Sequence, residues 1–243
     1  MPQSEFGQHS SFLDFNGTYE DVTWAAGTVD LGNGWGMTSV NEGTIQKVVD
    51  EGGGVIQFLS DTGDNDNVAL FSGPYDPSQG PVTVEARFKI ADASLGAIFV
   101  GLSETLAMDT PVMPAEFATA TMSYNGSGGI VGAVWDDDAT TEAWKAVSGD
   151  GGAVAGSAAF GANGTNATNN RVDDEYDIVR VTLYPSGFAE VWHDEELVVG
   201  GATGLTVTDL FYCVVMAENR AAAAIEFEVD YVYASATRDW AVS

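Results

Sequence analysis

Apolar and polar residues alternate with a period of two along much of this chain, most clearly in Pro81-Val-Thr-Val-Glu-Ala-Arg-Phe-Lys-Ile90. Val82, Val84, Ala86, Phe88 and Ile90 fall on one face of a strand, and Thr83, Glu85, Arg87 and Lys89 on the other. Similar short runs, broken by Gly, Asp and Asn, predict strands over 54–59, 68–71, 97–102, 118–124, 130–135, 142–147, 178–184, 188–193, 196–199, 210–217 and 224–233. An earlier pair is expected over 21–31 and 35–40. Pro185-Ser-Gly187 and Asp194-Glu195 supply the turn chemistry for two successive hairpins, and Asn125-Gly-Ser-Gly-Gly129 separates two further strands. Helical periodicity is nearly absent; one short helical turn is expected over 114–118, with Pro114 opening it. The fold class is therefore all-β, an antiparallel two-sheet β-sandwich.

Residues 1–20 read as an N-terminal arm, and 21–243 as a single sandwich domain. Residues 149–170 are rich in Gly, Ala, Asn and Thr and have little to bury, so a long rim loop is expected there. A length of 243 residues suits one large β-sandwich and needs no disulfide. The single cysteine, Cys213, lies in the apolar run Leu210-Phe-Tyr-Cys-Val-Val-Met216 and reads as a small core residue.

Charge changes the picture more. Against 36 acidic residues stand only 8 Lys plus Arg, a net charge of -28, yet 45% of residues are hydrophobic. This is a globular protein with an acidic skin, which repels nucleic acid and anionic membranes. The near-absence of lysine resembles proteins of extreme halophiles, and molar salt would screen the self-repulsion. No secretory leader and no membrane span are expected. Sequons at Asn16, Asn125, Asn163 and Asn166 are explained by a composition rich in Asn, Gly and Thr.

The runs Gly53-Gly-Val-Ile-Gln-Phe-Leu59, Asp61-Thr-Gly-Asp-Asn-Asp-Asn67, Val82–Ile90 and Ile98-Phe-Val-Gly-Leu-Ser103 resemble concanavalin-A-like jelly rolls of tailed-virus structural proteins. So do Arg180-Val-Thr-Leu-Tyr184, Ala189-Glu-Val-Trp-His-Asp194 and Phe227-Glu-Val-Asp-Tyr-Val-Tyr233. The resemblance covers about residues 50–105 and 176–235. It implies a concanavalin-A-like jelly roll. It also implies a noncatalytic virion structural protein, a capsid decoration or turret subunit on the virion surface, from a virus of halophilic archaea. The implied partners are capsid or other virion proteins and further copies of the chain in a homo-oligomer. Two alternatives stand beside it: a lectin-like carbohydrate-binding adhesion module recognising a host-surface glycan, and a divergent glycoside hydrolase.

Glu85-Ala-Arg-Phe-Lys89 also resembles a strand of laminarinase-like hydrolases, in which a following strand aligns a nucleophile and a general acid on one face. Here the following strand, Ala97-Ile-Phe-Val-Gly-Leu-Ser-Glu-Thr105, carries one carboxylate, Glu104, at its end. Glu226-Phe-Glu-Val-Asp230 has the alternation, but Ile225, Phe227, Val229 and Tyr231 are expected to face the core and leave its acids in solvent. His9 sits in the arm, and His193 reads as a hairpin-end turn residue. No catalytic residue is assigned, and the chain is expected not to be an enzyme.

No cofactor is expected, and Ca²⁺ is the one metal for which the sequence offers candidate ligands. Asp61, Asp64, Asn65 and Asp66 offer oxygen ligands in one loop, without the spacing of an EF-hand, and Asp136-Asp-Asp138 is a weaker candidate. Of the six tryptophans, Trp240 in the C-terminal tail is the candidate interface anchor. Trp135 and Trp192 are expected in the core, while Trp24, Trp35 and Trp144 stay open between core and surface.

Overall fold

The computed structural model describes residues 8–15, 22–24, 27–41, 43–48, 53–92, 94, 96–108, 110–126, 128–154, 159–167 and 171–237. Trp240 lies outside them. The chain begins with β1 (Gln8–Leu13), β2 (Val22–Trp24), β3 (Gly27–Gly32), β4 (Trp35–Ser39), β5 (Gly43–Lys47), β6 (Ile56–Ser60) and β7 (Asn67–Tyr75). It continues through β8 (Val82–Ile90), β9 (Gly96–Ser103), β10 (Ala115–Ala118), β11 (Thr121–Tyr124), β12 (Ile130–Asp136) and β13 (Lys145–Asp150). It closes with β14 (Ala153–Val154), β15 (Thr165–Asn166), β16 (Asp177–Leu183), β17 (Phe188–His193), β18 (Glu196–Ala202), β19 (Phe211–Asn219) and β20 (Glu226–Thr237).

Two antiparallel sheets face each other. The first runs β18-β17-β16-β8-β20-β6-β5-β2, with β1 added along β20; the second runs β14-β13-β12-β9-β19-β7-β4-β3, with β15 on β13. The fold is a concanavalin-A-like jelly roll. Strand β8 shows why it forms: its residues alternate buried and half-buried along its whole length. Val82 to Ile90 on the buried face meet Ile98, Val100 and Leu102 of β9 across the sandwich, together with Phe227 and Val229 of β20. Each large apolar side chain buried in this way stabilises the fold by roughly 1.5–3 kcal/mol. Cys213 is buried there too, and burial pushes its thiol pKa up.

Several segments depart from the expectations. Residues 8–13 of the expected arm are strand β1, paired with β20 from Gln8↔Thr237 to Leu13↔Val232. Within 149–170, β13 runs on to Asp150, two short strands form, and Phe160 is fully buried. Residues 114–118 are not helical: Ala115–Ala118 is a strand, because Ala115 and Phe117 are buried while Glu116 and Ala118 are not, a period of two. Tyr231 does not face the core. A bulge between Val229 and Tyr231 shifts the register, so Val232 turns inward and the Tyr231 hydroxyl donates outward to Glu85 Oε1 at 2.8 Å. The β17–β18 turn has positive φ at both Asp194 (47°) and Glu195 (66°), the tight hairpin turn that suits strand twist.

Candidate functional site

The two outer faces of the sandwich differ. On β9, Ala97 and Phe99 face away from the main core. Gly101 and Gly132 lie side by side on β9 and β12, and a Cβ on either would approach the Phe99 ring to 2.7 Å. The glycine pair thus lets that ring lie flat on the sheet. A roof formed by the β10–β11 hairpin and Met113 covers it: Ala115, Phe117, Met122 and Tyr124 form a second buried cluster with Phe99, Ile130, Val134, Val214 and Met216. Strand β9, on which the hydrolase resemblance would set its acid pair, is buried along its whole length, on both faces. Glu104, beyond the end of β9, has its pKa raised by desolvation, against a backbone hydrogen bond involving Gly129.

A buried ionic cluster fastens the roof. Asn67, Glu218, Ala97 and Asp136 fall in one row across β7, β19, β9 and β12. Arg220 Nη2 meets Asp136 Oδ2 at 2.8 Å, and Nη1 meets Glu218 Oε1 and Glu116 Oε2, each at 2.9 Å. Asp136 also accepts the Phe117 backbone N–H at 2.7 Å, and Asn67 Nδ2 donates to Glu218 Oε2 at 3.2 Å. Burial is the main cause that lifts the Glu218 pKa to about 7; Arg220 opposes the rise and Glu116 adds to it. A carboxyl at about 7 is suited to general-acid chemistry, but Arg220 binds it and the roof excludes substrate. Sequence reasoning missed this cluster because its acids come from separate segments. The available signal was Arg220 itself, one of 8 basic residues, at the end of a long apolar strand.

His193 is not a turn residue. It is buried at the end of β17, with Nε2 2.6 Å from Asp177 Oδ1 and 3.3 Å from Asp194 Oδ2. Trp144 Nε1 donates to the same Asp177 oxygen at 3.1 Å, and Arg171 Nε lies 3.6 Å from Asp177 Oδ2. Asp177, His193 and Asp194 are the one group of three metal-ligating side chains that converges among the described residues. It fits a metal poorly. The Nε2–Oδ1 contact has hydrogen-bond length, Arg171 already supplies positive charge, and His193 Nδ1 has no hydrogen-bond partner where a metal-bound imidazole needs one. The cluster instead ties β16, β17, Trp144 and Arg171 together at one end of the sandwich.

The loop proposed for Ca²⁺ is held as a turn. Asp66 is buried and accepts from Gly63 N–H at 2.8 Å and Asn41 Nδ2 at 2.5 Å. Asp61 caps Thr62 N–H at 2.7 Å, Asn65 sits at φ 64°, and Asp64 is exposed. The carboxylates of Asp61, Asp64 and Asp66 do not converge on a common point. Asn219 Nδ2 donates to the carbonyls of Asp61 and Gly63 at 2.6 and 2.9 Å, which secures the loop from below. Asp136 of the second candidate is committed to Arg220, and desolvation followed by the charges of Glu142, Asp138, Asp136 and Asp92 raises the Asp137 pKa.

The outer face of the first sheet has no such roof among the described residues. Lys89 pairs with Glu228 at 2.9 Å, Arg87 pairs with Asp230, and Arg87 lies 3.8 Å from the Tyr176 ring centroid. Glu226 is exposed, as expected, whereas Glu228 is half-buried in its ion pair. Toward the sheet edge the outward residues form three rows across β16, β17 and β18: Arg180–Trp192–Leu197, Thr182–Glu190–Gly200, and Tyr184–Phe188–Ala202. Trp192 is therefore a partly exposed outer-face residue, whereas Trp35, Trp135 and Trp144 are core. Glu190 Oε2 accepts from the Tyr184 hydroxyl at 3.2 Å and from Trp192 Nε1 at 3.4 Å. Desolvation first, then Glu190, raises the Tyr184 pKa.

The sequence matches no protein-family model and no curated protein. Solved structures do match over most of their length. A protein of unknown function from Shewanella oneidensis aligns at TM-score 0.55 and 14% identity, over 95% of this chain and 87% of that one. The Emp47p carbohydrate recognition domain aligns at 0.55 and 12%, over 95% of each chain. Peanut lectin aligns at 0.52 and 14%, over 89% of this chain and 97% of that one. These likenesses place the chain in the concanavalin-A-like lectin fold.

Proposed function

We propose that this protein is a noncatalytic, lectin-like carbohydrate-binding module. The observation that carries the reading is the contrast between its outer faces. The outer face of the β9 sheet is packed by Phe99 and the β10–β11 roof, while the opposite face presents partly exposed aromatic and hydrogen-bonding side chains. Two of the matching folds are a lectin and a carbohydrate recognition domain, which supports glycan binding over the virion decoration role. That narrower role would display the same module on a particle, with its acidic surface toward brine. A glycan array probed in dilute and in molar salt tests the function, with reducing-sugar release measured on every bound glycan. Specific glycan hits without sugar release are expected. Absence of all hits refutes glycan binding, and sugar release refutes a noncatalytic role.

A further inference from the structure

We propose that the outer face of β16, β17 and β18 is a binding surface for extended, uncharged polysaccharide chains, an inference that rests on the carbohydrate-binding reading above. Phe188 and Trp192 stand on the same face of β17, four residues apart. At a strand rise of about 3.4 Å per residue, their Cα atoms are about 14 Å apart. That separation exceeds one sugar ring, so a ligand touching both must be an oligosaccharide.

Each row has a separate task. Arg180 lies over Trp192, its guanidinium 4.9 Å from the ring, and the ring's Nε1 donates to Glu190 Oε2 at 3.4 Å. Phe188 is 38% exposed and Leu197 45%. Gly200 gives Phe188 room to lie across the edge strand, since a Cβ there would come within 3.3 Å of the ring. Phe188, and the part of Trp192 that Arg180 does not cover, offer apolar surface for the C–H faces of sugar rings. Between them, Glu190 receives both of its donors, from Tyr184 and Trp192, on Oε2. Oε1 is left to accept from a sugar hydroxyl, and a carboxylate can only accept. The choice of an uncharged chain follows from the field of a protein with net charge -28, which opposes a polyanion's approach.

The test is native affinity electrophoresis in gels containing galactomannan, mixed-linkage β-glucan or alginate, followed by calorimetry with oligosaccharides of increasing length. The proteins are the full chain, Phe188→Ala, Trp192→Ala, Glu190→Gln, and Leu210→Ala as an exposed apolar control outside the three rows. The expected result is retardation by a neutral polysaccharide, tightening with oligosaccharide length, and roughly tenfold weakening in the Phe188 and Trp192 variants at unchanged melting temperature. Leu210→Ala should bind as the parent does. Should Trp192→Ala fail to fold, Phe188→Ala and Glu190→Gln carry the test. Normal binding by all the face variants would overturn the site and leave the carbohydrate-binding function standing. Retardation by alginate alone would overturn the ligand class. No retardation and no array hit would remove both readings. A self-association abolished by Trp192→Ala, without any glycan binding, would assign the face to a second copy and overturn the proposal.

Discussion

Glu218→Gln isolates the energetic cost of the acidic cluster beneath the roof. The Glu218 side chain is 4% exposed, and burial raises its pKa from an ordinary 4.5 to about 7. A carboxyl with a folded pKa above its unfolded value binds its proton more tightly in the folded state. The resulting stabilisation is complete below pH 4.5 and is lost as pH rises to about 7. At about 1.4 kcal/mol per pKa unit, the loss is about 3 kcal/mol. A neutral amide of the same shape has no such titration. Urea unfolding of parent and variant at pH 5, 6, 7 and 8, at fixed salt, should show the variant gaining about 2–3 kcal/mol relative to the parent across that range. A difference that stays flat with pH, or moves in the parent's favour as pH rises, would refute the argument that desolvation outweighs Arg220 at this carboxyl.

Arg220→Met removes the cation shared by Glu116, Asp136 and Glu218 and should cost about 3–5 kcal/mol at pH 7 by urea unfolding. Gly132→Val forces a side chain against Phe99 and the Val100 carbonyl and should lower stability by at least about 1–3 kcal/mol, read as a lower urea midpoint. His193→Ala strips a buried partner from Asp177 and should destabilise by about 2–4 kcal/mol, whereas Asp64→Asn in the exposed turn should stay within about 0.5 kcal/mol of the parent. Raising NaCl from dilute to molar should raise the melting temperature, because the self-repulsion of a -28 surface is screened over about 3 Å at 1 M; an unchanged value would count against adaptation to brine.

The alternation that defines β8 was legible in the sequence because one residue in two must be buried there, and β17 follows the same logic; β19 reads instead as a continuous apolar run, because the roof buries its outer face as well. The inward side of β20 was legible only as far as Val229. The bulge that turns Tyr231 outward leaves no trace in a period-two pattern, since tyrosine suits either side. Residues 114–118 misled through Pro114: a proline that can open a helix can equally precede a strand. The side-chain groupings on the two outer faces were less accessible still. Trp192 alternates correctly for a strand, but alternation alone does not say which side is the core. Its partners Arg180 and Leu197 adjoin it only through registers set by two hairpins. Asp177 and His193 lie sixteen residues apart on adjacent strands, and that pairing requires the β16–β17 register. Glu116, Asp136 and Glu218 come from the roof, β12 and β19, and meet only through the β12–β9–β19 register and the docking of the hairpin.

Strands β9 and β12 are hydrogen-bonded neighbours from Ile130↔Ser103 to Asp136↔Ala97, and the entire roof is the excursion of chain between them. Replacing that excursion with a tight turn would leave every other strand-to-strand link in place. Whether this side of the molecule is sealed or open is therefore decided at one connection. A lineage could add or remove the covering piece by editing a single loop, provided that Phe99 and the carboxylates beneath it changed as well.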